Sequence, residues 1–452
     1  MIHGRGYVTV CLVGVFYFLW AAPTSLPLLR AAEPGIGQDR PGQGAGAGEI
    51  PPSEVQVEKY VPRQFADNFF VVAQFDLSYS VSVKSGDALS GANLSGVLAP
   101  AYKINDRTVF MLIYNGEYYQ RRDYYSDLIG PRERTEFQAH TVTPTLKMDF
   151  SGRKHYSVIP SLFYTRTYNK DVAGGGWDEG LYNYKDKGAG LDVKVRDLGY
   201  RGEEGELKIG VQYYQRDYPN YESLLDLATP NAIERDERDY DGLLTRVGYR
   251  WGDAVGLSWS VDYYLLHKEL EGKKVVDLEG RLTDEAQRDN QHYLGLHFSY
   301  VPETQPGLRF GLDVSSNLYR SNQNYYDGMG TFPNTADDVA TADFYDYNSY
   351  LISPNLSYLL PMMPLTPSLS FSMQKIDYTD RLAKNSNKTY KTEKQEDTQV
   401  GITLDLRYGL SERTSLYGRW QYLKVSSNND DESVYSYNHE TNTYFAGLTL
   451  RY

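Results

Sequence analysis

Between Phe69 and Val83 the chain takes strict turns between apolar and polar side chains. Odd positions read Phe69, Val71, Ala73, Phe75, Leu77, Tyr79, Val81 and Val83; from Gln74 the even ones read Gln74, Asp76, Ser78, Ser80, Ser82 and Lys84. Period-two alternation predicts a β-strand with one apolar and one wet face. The run outlasts the usual globular strand, and a tilted membrane-crossing strand needs only about 9–11 residues. The pattern returns at 142–150, 191–195, 207–213, 243–249, 257–263, 294–300, 308–314, 350–358, 365–373, 400–408, 416–422 and 444–452. Weaker runs at 98–104, 108–118 and 156–164 are apolar on both faces. Together they predict an all-β fold: a transmembrane antiparallel up-and-down barrel of about sixteen strands, with about fourteen to eighteen as the range.

The connections sort by length. Short links at 105–106, 151–153, 251–253 and 409–412 alternate with long polar ones at 218–239, 270–289, 321–347 and 377–397. Outer-membrane barrels have tight periplasmic turns and long outer loops, which a soluble sandwich has no reason to imitate. An even strand count then leaves both termini in the periplasm. Phe150, Tyr249, Tyr300, Tyr358, Tyr408 and Tyr452 all fall on the apolar face beside a short turn. They are expected to form an aromatic girdle at one membrane interface.

Composition fits that wall. The mean hydropathy of -0.54 resembles a soluble protein, but 42 tyrosines against 16 phenylalanines do not. Tyrosine has an apolar ring and a polar tip, and so suits a boundary between lipid and water. The net charge of -13 argues against nucleic acid as a partner. Residues 1–32 read as a signal peptide: a weakly basic start at His3 and Arg5, an apolar run from Val8 to Trp20, then cleavage after Ala22 or Ala32. The one cysteine, Cys11, lies there, so the mature chain has no disulfide or thiolate metal site. Residues 33–67, rich in Gly, Pro and charge, read as a flexible periplasmic leader, too short for a folded plug. Residues 68–452 form the barrel.

The last nine residues, Tyr444 to Tyr452, alternate and end on an aromatic. The stretch resembles the terminal signal of bacterial outer-membrane β-barrel proteins. That resemblance implies a porin-like barrel in the cell outer membrane, recognition by the barrel-insertion machinery, and contact with outer-membrane lipid and lipopolysaccharide. Four copies of Pro-x-Leu-x-aromatic or Met, starting at Pro144, Pro160, Pro354 and Pro367, are similar to barrels of tetratricopeptide-linked surface-assembly and export factors. The helical domain of those factors is missing here. Proline interrupts a ladder, so bulges are expected at these positions.

The wet face carries Asp76, Lys84, Lys194, Lys208, Arg216, Arg246, Asp262, Arg309, Asp313, Asp405 and Arg419, the expected pore-lining residues. Basic residues outnumber acids on it, so the lumen should favour anions; alternatively, the charges pair across strands and only keep the interior wet. Tyr118-Tyr119-Gln120-Arg121 and Tyr213-Tyr214-Gln215-Arg216 are placed at the outer rim, as an aromatic belt or as holders of sugars and headgroups. No metal site and no cofactor is expected. His297 and Ser299 share a face, similar to the His/Ser pair of outer-membrane phospholipase, but no third orienting group stands out, so catalysis is not expected. The reading is a porin-type channel for passive or weakly selective passage of small polar solutes. The alternative is a structural barrel, a scaffold for polysaccharide export or an extracellular complex such as a cytochrome. The bulky wet-face residues Tyr214, Tyr264, Tyr293, Tyr417 and Phe445 would favour it by filling the interior.

Overall fold

The computed structural model describes residues 63–66, 68–84, 87–122, 134–150, 155–170, 176–199, 205–221, 236–252, 255–327, 339–431 and 437–451. The expected signal peptide, most of the expected leader and Tyr452 lie outside them, as does the side chain of Lys84.

The strands are β1 (Arg63–Ala66), β2 (Phe69–Lys84), β3 (Asp87–Asn105), β4 (Thr108–Arg122), β5 (Arg134–Phe150), β6 (Tyr156–Lys170), β7 (Tyr184–Val195), β8 (Gly205–Asp217), β9 (Tyr240–Gly252) and β10 (Gly256–Val276). They continue as β11 (Leu282–Val301), β12 (Leu308–Ser321), β13 (Tyr325–Asp327), β14 (Val339–Thr341), β15 (Tyr347–Tyr358), β16 (Leu365–Lys384), β17 (Tyr390–Gly409), β18 (Thr414–Ser427) and β19 (His439–Arg451). From β2 onward each long strand pairs antiparallel with the next, β12 reaching β15 past the small β13–β14 hairpin. The last strand returns to the first: β19 pairs with β2, Leu448 opposite Leu77. Sixteen strands therefore form a closed barrel with no free edge.

Closure gives the alternation its meaning. On β2 the side chains of Phe75, Leu77 and Tyr79 keep 46%, 53% and 54% of their surface exposed, and their partners Leu94, Leu448 and Leu450 point the same way. Whole faces of exposed apolar groups suit hydrocarbon, not water. The opposite face buries Thr141, Thr165, Asp186, Arg216, Gln421 and Thr449. Polar side chains face inward and apolar ones outward, the reverse of a soluble core. No helix among the described residues is long and apolar enough to cross a membrane; the strands do so.

The weaker runs also form full strands, β3, β4 and β6. Their alternation is blurred because Val97, Ala99, Met111, Ile113 and Phe163 are apolar and face inward. The end where β3 meets β4 has the shorter connections, and the opposite end carries the long ones together with the tight β2–β3 link. Two expected loops are largely strand. β10 and β11 continue as a hairpin to Val276 and Leu282, with register shifts beyond Leu270, and β16 and β17 do the same beyond Asp377. Most of the register shifts sit in these projecting ribbons, where no neighbouring strand constrains the backbone; others fall at Lys103–Asn105 beside the β3–β4 turn and in the short β1–β2 pairing.

The prolines need a correction. No register shift occurs at Pro144, Pro160, Pro354 or Pro367: Val142 pairs with Tyr164 and Thr145 with Ser161 in one continuous register, and Ile352–Met373 and Asn355–Ser370 do likewise. Proline removes pairs from one side of its strand while the other side stays matched, as at Pro144 opposite Leu112. A closed wall holds the register that a free edge would let slip.

Candidate functional site: the inward face

Register decides which side chains meet inside the barrel. Asp192 on β7, Gly210 on β8 and Arg246 on β9 stand in one row. Gly210 has no side chain, so Arg246 reaches over it to Asp192 with hydrogen bonds of 2.5–2.9 Å. A Cβ at Gly210 would lie 2.2 Å from Asp192 Oδ1. Nearby, Arg216 donates twice to Asp186 at 2.7 and 2.9 Å, with the pair only 7% and 1% exposed. The guanidinium also lies 3.9 Å from the centre of the Tyr184 ring. Arg419 donates to Asp405 at 2.9 Å, and Arg196 to Glu206 at 3.0 Å.

The wet-face residues are thus distributed as follows. Lys194, Lys208, Arg216 and Arg246 lie on β7, β8 and β9 and form one basic wall, with Asp262 of β10 beside it, opposite Gly248. Lys194 and Lys208 are direct cross-strand partners. Asp405 and Arg419 form a pair on β17 and β18. Asp313 faces His297 across β11 and β12 and shares a short hydrogen bond with its Nδ1. Asp76 is held by Thr449 and Gln74, and Arg309 stands on β12 opposite Ser357 of β15. Asp186 was not among the sequence candidates. It precedes a Gly188-Ala189-Gly190 stretch that hides the start of β7.

The bulky inward residues do not project freely. Tyr214 lies over Gly242, its cross-strand partner, where an added Cβ would stand 2.5 Å from the ring. Tyr417 covers Gly447 in the same way, at 2.4 Å. Tyr264 and Tyr293 pack against each other with centroids 5.5 Å apart. With Phe163, Tyr240, Leu244 and Leu266, Tyr214 forms an apolar lining on one wall. The Tyr213–Arg216 motif is therefore not a sugar-holding rim: Tyr214 and Arg216 are buried against the wall, and outward Tyr213 donates to Asp241.

His297 does find an orienting carboxylate, Asp313, contrary to expectation. Its Nε2, however, is buried without a hydrogen-bond partner, so no serine hydroxyl is engaged there. His292 faces outward, bonded to Tyr263, and cannot share a ligand with His297. Among the described residues no group of three or more His, Cys, Asp or Glu could hold a metal ion.

At the mouth with long connections, Tyr319, Tyr347, Tyr378 and Ile376 pack together, and Arg381 lies over Tyr378 and Phe344. Asp346, just before β15, accepts from the Ser321 N–H. Burial pushes its carboxyl up to about 6, with Asp343 and Asp380 adding to the effect and Ser321 and Arg320 opposing it. At the opposite end, Phe150, Tyr249, Tyr300, Tyr358 and Tyr408 each fall within the last four residues of their strands.

No family model matches the sequence, and no curated protein is similar to it at a significant level. Several solved structures match in fold. Folded OmpT of Vibrio cholerae is 10% identical, with a TM-score of 0.43, over 86% of this chain and 98% of that one. OprB of Pseudomonas putida is 8% identical, with a TM-score of 0.43, over 85% and 93%. An anion-selective porin from Comamonas acidovorans is 11% identical, with a TM-score of 0.39, over 85% and 99%. Similarity at that level concerns architecture alone. The closed sheet, its apolar exterior and its polar interior give this chain the porin-like fold of a membrane-spanning β-barrel.

Proposed function

We propose that the barrel is a passive, weakly selective channel for small polar solutes, with a preference for anions, and not an enzyme. The carrying observation is the way inward rings lie against the wall, Tyr214 on Gly242 and Tyr417 on Gly447. About sixteen staves enclose more space than side chains of one layer can fill, and rings held flat leave that space to water. Asp76, Lys84, Lys194, Lys208, Arg216, Arg246, Asp262, Arg309, Asp313, Asp405 and Arg419 line the passage on this reading. Asp186, Asp192 and Asp405 are each held by an arginine, which weakens any selectivity. Lys194 and Lys208, opposite each other on β7 and β8, put two basic side chains on the inward face.

The strand-end aromatics Phe150, Tyr249, Tyr300, Tyr358, Tyr408 and Tyr452 anchor the barrel at the periplasmic interface. Residues 1–32 export the chain, and the final strand engages the insertion machinery. Outward-facing Arg166, Lys185 and Lys187, at the end with long connections, suit lipopolysaccharide phosphates.

Purified protein in a planar bilayer tests the proposal. Large, steady conductance steps with an anion-selective reversal potential are expected. Silence from a folded, heat-modifiable sample would overturn it. A structural barrel for export or an extracellular complex is the second reading, favoured by the aromatic packing of Tyr319, Tyr347 and Tyr378 at the outer mouth; bilayer silence would support it.

A further inference from the structure

Four hairpins close on the same side-chain clamp at the end with long connections. Just before each returning strand stands an Asn or Asp, and its side-chain oxygen accepts a backbone N–H from the end of the outgoing strand. Asn183 accepts from Asn169 at 2.6 Å, Asp239 from Tyr218 at 2.6 Å, Asp346 from Ser321 at 2.7 Å and Asn438 from Ser427 at 2.8 Å. In three of them the turn leading in repeats as well. The N–H groups of Asn183, Asp239 and Asp346 donate to the carbonyls of Gly180, Asp236 and Asp343, three residues back, at 3.0–3.1 Å. A ring starts the returning strand each time: Tyr184, Tyr240, Tyr347 and His439.

Two clamps are amides and two are acids, and the chemistry differs. Asn183 also uses its NH2 group, donating to the Trp177 carbonyl at 2.6 Å, and Asn438 donates to that of Asn429 at 3.5 Å. A carboxyl can copy an amide, acceptor at one atom and donor at the other, only while it is protonated. Ionised, it brings a charge into a turn that shields it from water and already holds other acids. Asp346 is buried and faces Asp343 of its own turn and Asp380 of β16. Against these stand Arg320 of β12 at 3.6 Å and Lys394 of β17, which pairs with Asp380 at 3.1 Å. Asp239 is half-buried and faces Asp236 of its own turn and Asp217 of β8, the latter paired with Lys187 of β7 at 3.7 Å. Burial is the chief reason that both carboxyls are raised above their ordinary value.

We propose that Asp239 and Asp346 are proton-operated clamps, which hold the ends of the β8–β9 and β12–β15 pairs shut in acid and loosen them toward neutral pH, while Asn183 and Asn438 hold throughout. A raised acid stabilises the closed form while protonated, so its grip is full in acid and is lost as pH rises through the folded-state value. The rings that follow carry the effect to the mouth. Tyr240 packs on Tyr214 with centroids 5.9 Å apart, and Tyr347 lies parallel to Tyr319 at 5.4 Å. Both rings are buried on the inward side. The inference goes beyond the channel proposal and does not depend on whether the lumen conducts.

Hydrogen exchange of the whole barrel in detergent reads the clamps through the four amides they hold. After correction for the intrinsic exchange rate, protection at Tyr218 and Ser321 should fall severalfold from about pH 5 to about pH 7.5, while that at Asn169 and Ser427 stays constant. Asp239→Asn and Asp346→Asn imitate clamps that the barrel already carries, so both variants should fold. Each should make its own amide insensitive to pH. Constant protection at Tyr218 and Ser321, an equal loss at all four amides, or a pH response that survives the Asp→Asn exchanges would overturn the inference.

Discussion

The ring of Tyr214 on β8 rests on Gly242 of β9, so close that a methyl group there would stand 2.5 Å from a ring carbon. The glycine is needed for that approach, not for an unusual backbone angle. Gly242→Ala should push the ring off the wall and strain its packing with Phe163 and Tyr240. A loss of about 1–3 kcal/mol is expected from overpacking. Chemical unfolding in detergent would show it, together with a smaller single-channel conductance. An unchanged conductance alongside lost stability would mean that this ring does not border the passage.

The Arg216–Asp186 pair is nearly inaccessible to solvent. Asp186→Ala leaves the guanidinium buried without its carboxylate, at a cost of about 3–5 kcal/mol. Changing both residues, Asp186→Ala with Arg216→Met, should recover much of that loss. A double-mutant cycle by chemical unfolding measures the coupling; simple additivity would contradict it.

Selectivity should respond to the basic wall. Lys194→Glu with Lys208→Glu converts a like-charge pair of cations into one of anions on the same two strands. The reversal potential under a KCl gradient should move toward cation preference, the permeability ratio changing severalfold. The same exchange at Arg309, on β12 and away from β7 and β8, should have a smaller effect.

Stability of the outer mouth should depend on pH. The Asp346 carboxyl is raised from 3.8 to about 6, chiefly by burial. A raised acid favours the folded state when protonated. Its contribution is therefore full below about pH 4 and is lost as pH rises through 6. Asp346→Asn keeps the acceptor for the Ser321 N–H but cannot ionise. Thermal unfolding of the wild type should be lower at pH 7.5 than at pH 4.5, with the difference reduced in the variant.

How much of this was legible follows from what alternation reports. On β2, β17 and β19 one face meets hydrocarbon and the other water, so the period of two reads directly from sequence. On β3, β4 and β6 it fades because Val97, Ala99, Ile113 and Phe163 face inward onto apolar neighbours. The candidate charges could be assigned a face by parity, but their partners could not. Asp186 and Arg216 lie 30 residues apart, and only register joins them. The His297–Asp313 pair was within reach, since Tyr300 opposite Phe310 across the short 302–307 turn fixes that hairpin. The β10–β11 and β16–β17 ribbons looked like loops because several positions they bury, such as Gln287, Arg381 and Gln395, are polar, so no apolar–polar alternation marks them.

Accessibility along β17 tests the central claim most directly. Single cysteines from 400 to 408 in the purified, folded barrel would be probed with a water-soluble maleimide and with a lipid-phase quencher. Positions 401, 403, 405 and 407 should react with the maleimide, while 400, 402, 404, 406 and 408 should answer only to the quencher. Uniform labelling, or the opposite parity, would contradict the closed wall with its wet interior.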